Sequence, residues 1–410
     1  MKILFVTYSY NDFDHMAPLI WKAYKKKTSI IILNANPKFT IQNDEKFKYL
    51  KRKFKIKFYQ LNKIQKLPTF FYDTSFSQGS PYFRYFFKIK KFLFFPKIFL
   101  NNFLKREKIS LVVFDWGTKY CRNRFDILDY AKNKKIPIVT VPHGLQIFKF
   151  PLTVDESSVD QTEHMLTYNY PDNYIFQSSF HAKQEINFGL NPKITRILGS
   201  ARFDLEWINE LKKIFKLKNY KQKKIIVMFL PHIAEGFKIK NNKILRTLKI
   251  LKKTNNTKII LKPHTRYTLN EYYKTDFYKK FYKLFNDSKN IFFSDKSSFQ
   301  LSKNADLILF SGSSIFLDGF AMKKNILNLT YLQGRKTIID DSKLIKKIKN
   351  LNDLKKNIPN FFIRKKNKNS ECRILNDLLY GSLKKKSKGK VLENYHKLFK
   401  KLIQESFPRQ

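Results

Sequence analysis

Residues 306–330, DLILFSGSSIFLDGFAMKKNILNLT, admit few folds. The pattern predicts a buried strand (Asp306–Phe310), a small-residue turn (Ser311, Gly312, Ser313, Ser314), an amphipathic helix and a second buried strand (Asn325–Thr330). A strand that hands serines and a glycine to the first turn of a helix suits an anion. Unpaired N–H groups and hydroxyls point outward there, and the helix dipole favours negative charge. The plainer reading of the same turn is a helix N-cap.

The rest of the chain repeats this alternation. Strands are expected at Lys2–Tyr8, Ser29–Asn34, Leu111–Trp116, Pro137–Val141, Tyr174–Gln177 and Ile194–Leu198. A half-solvated strand is expected through Phe54, Ile56 and Phe58, and helices at Met16–Lys26, Arg124–Lys134 and from Ser178. A Lys-rich linker is read at Leu211–Lys224. The pattern then restarts with strands Ile225–Leu230, Lys258–Leu261 and Asn290–Ser294 before the 306–330 unit. Apolar strands alternating with helices mean parallel sheets covered on both faces. The expected class is α/β, with two doubly wound Rossmann-like domains whose sheets face a cleft. Their bounds are 1–210 and 211–345, and a basic helical tail, 346–410, packs back on them.

Composition narrows the function. The 410 residues carry a formal charge of +50, and 43% are hydrophobic. Such a charge attracts nucleic acid, anionic lipid or phosphorylated substrates. The Lys residues are spread over nearly every helix instead of forming one stripe, so specific nucleic-acid binding is not expected. Two cysteines far apart, Cys121 and Cys372, exclude a disulfide framework or zinc ribbon and fit a reducing compartment. The apolar stretch near the N-terminus (Ile3–Val6) is too short for a signal peptide, so a cytoplasmic protein is expected. Segment Pro81–Phe103 interleaves Phe and Tyr with Lys and Arg, and reads either as an interfacial membrane helix kinked at Pro96 or as a core helix.

Several strand ends carry chemistry. His143 and Gly144 follow strand Pro137–Val141, where an imidazole could take a proton from an attacking hydroxyl. Lys262 and His264, with Arg266 beyond, end strand Lys258–Leu261 and suit a donor diphosphate. His232 ends the preceding strand. Arg202 and Asp204 in GSARFD (Gly199–Asp204) suit a phosphate and its orientation, or a salt bridge at a helix start. Asp318 shares a face with Ser314 and could meet a ribose or a hydroxyl, or stand exposed. No P-loop, G-x-G-x-x-G, H-E-x-x-H or G-x-S-x-G motif is present, which argues against P-loop ATPases, ordinary dinucleotide oxidoreductases and zinc hydrolases.

Four segments, in order, resemble the CDP-glycerol glycerophosphotransferase-like branch of the GT-B transferases, and more loosely the GT-B enzymes of capsule and lipopolysaccharide synthesis. They are PHG at Pro142–Gly144, Pro171–Gly189 followed by GSARFD, KPH at Lys262–His264, and SGSSIFLDGFAMKKNILNL. Thr265 stands where that family has Pro, and Gly312 replaces a bulkier residue. The resemblance covers roughly residues 140–330. It implies a transferase with His143 as the acceptor-activating base, and metal-independent transfer is the simpler expectation. His264, Ser313 and Ser314 would hold the donor phosphates. It also implies a nucleotide-activated donor, CMP- or CDP-linked in preference to UDP-linked, no separate cofactor, and a glycan or lipid-linked acceptor in surface polysaccharide synthesis. The enzyme could lie peripherally on the inner face of the membrane. The rivals are a nucleotide-sugar epimerase of the same fold, which would need a carboxylate pair, and a non-catalytic basic protein that binds nucleic acid or membrane.

Overall fold

The computed structural model describes residues 1–36, 39–66, 94–115, 125–142, 171–187, 189–215, 224–231, 241–264, 269–333, 336–340, 345–363, 373–382 and 390–407. The chain forms two compact units. The first comprises Met1–Gly144, Asp160–Ile214 and Asn376–Gln410, and the second Leu145–Val159 and Phe215–Leu375.

The first unit runs β1 (Lys2–Thr7), α1 (Tyr10–Lys25), β2 (Ser29–Asn34), α2 (Glu45–Lys53), β3 (Lys57–Gln60), α3 (Leu61–Gln65), α4 (Phe94–Glu107), β4 (Leu111–Asp115), α5 (Phe125–Asn133), β5 (Ile138–Val141), β6 (Asn173–Phe176), α6 (Ser179–Asn187), β7 (Thr195–Ile197) and α7 (Leu205–Ile214). Its seven strands are ordered β3-β2-β1-β4-β5-β6-β7. The pairings are parallel, with Lys2 opposite Ser29 and Asp115 opposite Val141. Leu4, Val6, Ile31, Leu33, Val112 and Phe114 centre one core cluster of this unit.

The second unit runs β8 (Lys224–Phe229), α8 (Asn241–Lys252), β9 (Thr257–Lys262), α9 (Leu269–Tyr273), α10 (Asp276–Phe285), β10 (Ile291–Phe293), α11 (Ser298–Asn304), β11 (Leu307–Phe310), α12 (Phe316–Ala321), β12 (Asn325–Leu329), β13 (Lys346–Ile348) and α13 (Leu351–Ile363). Its six strands are ordered β10-β9-β8-β11-β12-β13. Helices α14 (Arg373–Tyr380) and α15 (Val391–Ser406) complete the chain. The expected two doubly wound α/β sheets are therefore present, and both wind outward from their first strand in two directions.

Four local expectations change. Helix α1 begins at Tyr10, not Met16, because Ser9 and Asp12 form a reciprocal capping box that turns the polar run into a helix start. The strand expected from Phe54 begins at Lys57; Phe54 instead terminates α2 and stacks on Tyr24 at 4.3 Å. Helix α7 continues through buried Leu211 to Ile214, so the expected linker opens as packed helix. Lys346–Ile348, read as helical tail, is the sixth strand of the second sheet, paired in parallel with β12. In Pro81–Phe103, the described helix starts at Phe94 and puts Pro96 in its first turn, where the missing N–H is no loss. Residues 81–93 lie outside the described residues. No described helix is long and apolar enough to cross a membrane.

Candidate functional site

In an open parallel sheet, a ligand crevice forms where the strand order reverses, outside the carboxyl ends of the two strands concerned. In the second unit that point lies between β8 and β11. Strand β11 delivers Ser311, Gly312, Ser313 and Ser314 to it.

The turn is built differently from an ordinary helix cap. Helix α12 starts at Phe316, and Ile315, at the cap position, makes no side-chain cap bond. Ser314 is therefore not the cap; its carbonyl accepts the Leu317 N–H at 3.0 Å. Ser313 Oγ accepts the Ile315 N–H at a long 3.4 Å. Ser311 is buried, and its hydroxyl has no hydrogen-bond partner among the described residues. Gly312 has φ +50, and a Cβ there would stand 3.3 Å from the Gln333 side chain. Its N–H meets Asn328 Oδ1 at 3.5 Å. Asp318, expected at a ligand or in solvent, is buried on the first turn of α12.

Behind this turn lies a polar brace that sequence reasoning missed. Asp340 accepts the Thr337 N–H at 2.6 Å, Gln333 Nε2 at 3.3 Å and Asn328 Nδ2 at 3.4 Å. Asn328 breaks the apolar run of β12, which was the one local signal for it. The partnership with Asp340 spans a loop and left no periodic trace.

Strand β9 ends in Lys262, followed by half-buried His264. Lys262 Nζ donates to the Asp295 carbonyl at 3.0 Å. Burial pushes its ammonium pKa below the ordinary lysine value, against the pull of the Asp295 carboxylate. Strands β9 and β11 flank β8 on opposite sides. Two inter-strand spacings separate their ends, roughly 10 Å, which is the scale of a nucleoside diphosphate's phosphates with the attached group. His232 and Arg266 lie outside the described residues, as do His143 and Gly144.

The first unit treats its motif otherwise. Arg202, on a 3-10 turn at Ala201–Phe203, pairs through Nε with Asp14 Oδ2 at 2.7 Å. Asp14 also meets Lys46 Nζ at 2.9 Å, and Lys46 reaches Asp44 at 3.3 Å and the Tyr10 hydroxyl at 3.0 Å. Burial opposes the Asp14 charge, but Arg202 and Lys46 overcome it and hold that carboxyl far below its usual range. Asp204, expected to orient a phosphate or to pair with Arg202, does neither. It is buried and accepts the Glu206 N–H at 2.9 Å and the Leu392 N–H at 3.0 Å, tying the start of α7 to that of α15. Burial raises its pKa, opposed by those two N–H groups. Gly199 (φ +88) lies so near Tyr380 that a Cβ would be 2.5 Å from its carbonyl carbon. The Ser200 N–H donates to the Leu379 carbonyl at 3.0 Å, and the Tyr395 hydroxyl donates to the Gly199 carbonyl at 3.0 Å. Asp12 and Asp14 have D-x-D spacing, yet both are engaged: Asp12 accepts the Tyr8 N–H at 2.7 Å and the Ser9 N–H at 3.1 Å.

No protein-family model and no curated protein matches the chain by sequence. Solved structures do match it along its whole length. It is similar to the UDP-GlcNAc 2-epimerase of Neisseria meningitidis bound to UDP-GlcNAc, with 14% identity and TM-score 0.57 over 98% of this chain and 100% of that one. The UDP-GlcNAc 2-epimerase of Methanocaldococcus jannaschii, in complex with UDP-GlcNAc and UDP, matches with 16% identity and TM-score 0.56 over 98% and 100%. A variant of the wall teichoic acid polymerase TagF matches with 12% identity and TM-score 0.58 over 100% and 90%. At such identities the likeness establishes the architecture: the chain has the two-domain Rossmann-like GT-B fold.

Proposed function

We propose that this protein is a GT-B enzyme acting on a nucleotide-activated sugar or alcohol. In this reading it transfers the activated group to a hydroxyl of a cell-surface polysaccharide, lipopolysaccharide or capsule precursor, in the cytoplasm and without a metal. The observation that carries the reading is the Ser311–Ser314 turn at the β8/β11 switch point, with a buried hydroxyl and no side-chain cap of its own. The acceptor oxygen forms the new bond to the activated carbon or phosphorus. The bond to the nucleotide's phosphate oxygen breaks, and the nucleotide leaves with that electron pair. The acceptor proton passes to His143, the role implied by the resemblance. Lys262, His264 and the serine turn stabilise the negative charge that grows on the leaving phosphate. Resemblance at the motifs favours a CMP- or CDP-linked donor; the UDP-GlcNAc held by two proteins of this fold supports a UDP-linked one.

Epimerisation of a nucleotide sugar is the second reading, favoured by the whole-length likeness to two UDP-GlcNAc 2-epimerases. Thermal melts against CMP, CDP, UDP, GDP and ADP test the shared premise, since a ligand of the folded state alone raises the melting temperature. A shift with one nucleotide, lost in His264→Ala, is expected. No shift at millimolar concentration rejects both readings. The matching nucleotide sugar in heavy water, without acceptor, separates them. An epimerase that breaks a C–H bond incorporates deuterium into recovered sugar, and a transferase leaves it unlabelled.

A further inference from the structure

The exposed face of α9 and α10 carries a row of tyrosine rings flanked by lysines. Helix α10 buries Phe277, Phe281 and Phe285, spaced four apart, against the sheet. Its next flank carries Tyr278 and Tyr282, and Tyr273 of α9 stands beside them. The rings of Tyr273 and Tyr278 are 4.5 Å apart, and those of Tyr278 and Tyr282 are 6.2 Å apart. Phe293 supports the row from below, 5.5 Å from Tyr278 and 6.3 Å from Tyr273. The row is not core: Tyr273 is 38% exposed and Tyr282 57%. Lys279 and Lys283 occupy the outward flank next to it, with Lys274 and Lys280 also exposed. The carboxylates on α9 and α10 are Glu271 and Asp276, and Asp276 is turned onto Lys279 at 3.6 Å.

We infer that this tyrosine–lysine face docks on an anionic phospholipid surface. Tyrosine suits the headgroup zone because its ring is apolar and its hydroxyl is wet. Lysines flanking such rings meet lipid phosphates while their stems cover apolar surface. Single-stranded nucleic acid is a poorer fit, because the tyrosine faces pack on one another and on Phe293 and are not open to bases. Helix α9 begins five positions after His264 in the sequence. With the lipid-linked acceptor proposed above, such docking brings the enzyme to the surface that carries its substrate.

Vesicle sedimentation in about 0.15 M salt tests the face. The probes are phosphatidylcholine vesicles with and without phosphatidylglycerol. The protein at +50 is attracted to any anionic surface, so the variants must separate a built face from diffuse charge. The double variant Tyr273→Ser/Tyr282→Ser keeps the net charge. It is expected to lose affinity for the anionic vesicles about tenfold while its melting temperature and nucleotide shift stay unchanged. Lys279→Glu/Lys283→Glu is expected to lose far more than Lys397→Glu/Lys400→Glu on α15, an equal change of charge elsewhere. Wild-type binding by the tyrosine variant, or equal losses from the two lysine pairs, overturns the inference. Neither outcome touches the nucleotide reading, which the melts test separately.

Discussion

Gly199–Asp204 in the first unit and Ser311–Ser314 in the second are both short small-residue segments that follow a strand, and both read as phosphate sites. The molecule anchors them differently. The first is consumed by internal contacts: Gly199 admits the Tyr380 backbone, Ser200 pairs with Leu379, Asp204 caps two helices and Arg202 is held by Asp14. The second has no such set of long-range anchors, although each segment keeps one serine hydroxyl, Ser200 or Ser311, buried with no partner among the described residues. A buried polar group without a partner is costly unless something else supplies one. Engagement of the charged side chains and the backbone, and not the buried serine hydroxyl, separates the structural joint from the candidate site.

The largest effect belongs to the joint's charged anchor. Lys46→Met removes the buried cation that Asp14 and Asp44 share, with Arg202 left on Asp14, and is expected to cost about 3–5 kcal/mol in denaturant unfolding. Gly199→Ala follows, at about 3 kcal/mol, because the new Cβ meets backbone that cannot turn aside and φ is left-handed. Asp204→Ala removes acceptors from two helix starts and should cost about 1–2 kcal/mol, with nucleotide affinity unchanged. Ser311→Ala is the sharpest contrast. Stability should stay within about 0.5 kcal/mol of wild type, since no bond is lost, while nucleotide affinity falls about tenfold in titration calorimetry. A Ser311→Ala protein that is clearly less stable yet binds normally would erase the distinction.

The same anchor also predicts an effect of pH. The Asp14 carboxyl has a folded pKa below its unfolded one, so its charge adds stability above the ordinary carboxylate value of about 4, and that stability drains away as pH falls further. Asp14→Asn should therefore be less stable than wild type at neutral pH, and the gap should narrow below about pH 4.

Much of the architecture was legible because buried parallel strands are apolar runs with sharp ends. Ser29–Asn34 and Asn325–Leu329 are such runs, bounded by turn residues. Elements whose identity depends on distant partners were not. Lys346–Ile348 is a strand only because β12 pairs with it, and nothing in KKI says so. The serine turn could be read because small polar residues between two apolar strands have few uses. Its brace through Asp340, and the grip of Asp14 on Arg202, join residues 12 and 188 positions apart, beyond any local pattern.

The first unit closes with a late piece of the chain. Its Gly199–Asp204 joint is completed by Leu379, Tyr380, Gly381, Leu392 and Tyr395, whereas the residues of the second unit end at Leu375. On the ribosome the order of maturation is therefore inverted. The unit that begins synthesis first must wait, with the ends of α7 and β7 uncovered, until the last helix has left the exit tunnel. The second unit can already be folded by then. Ribosome stalling or proteolysis just after residue 375 would release a finished second unit attached to an unfinished first one.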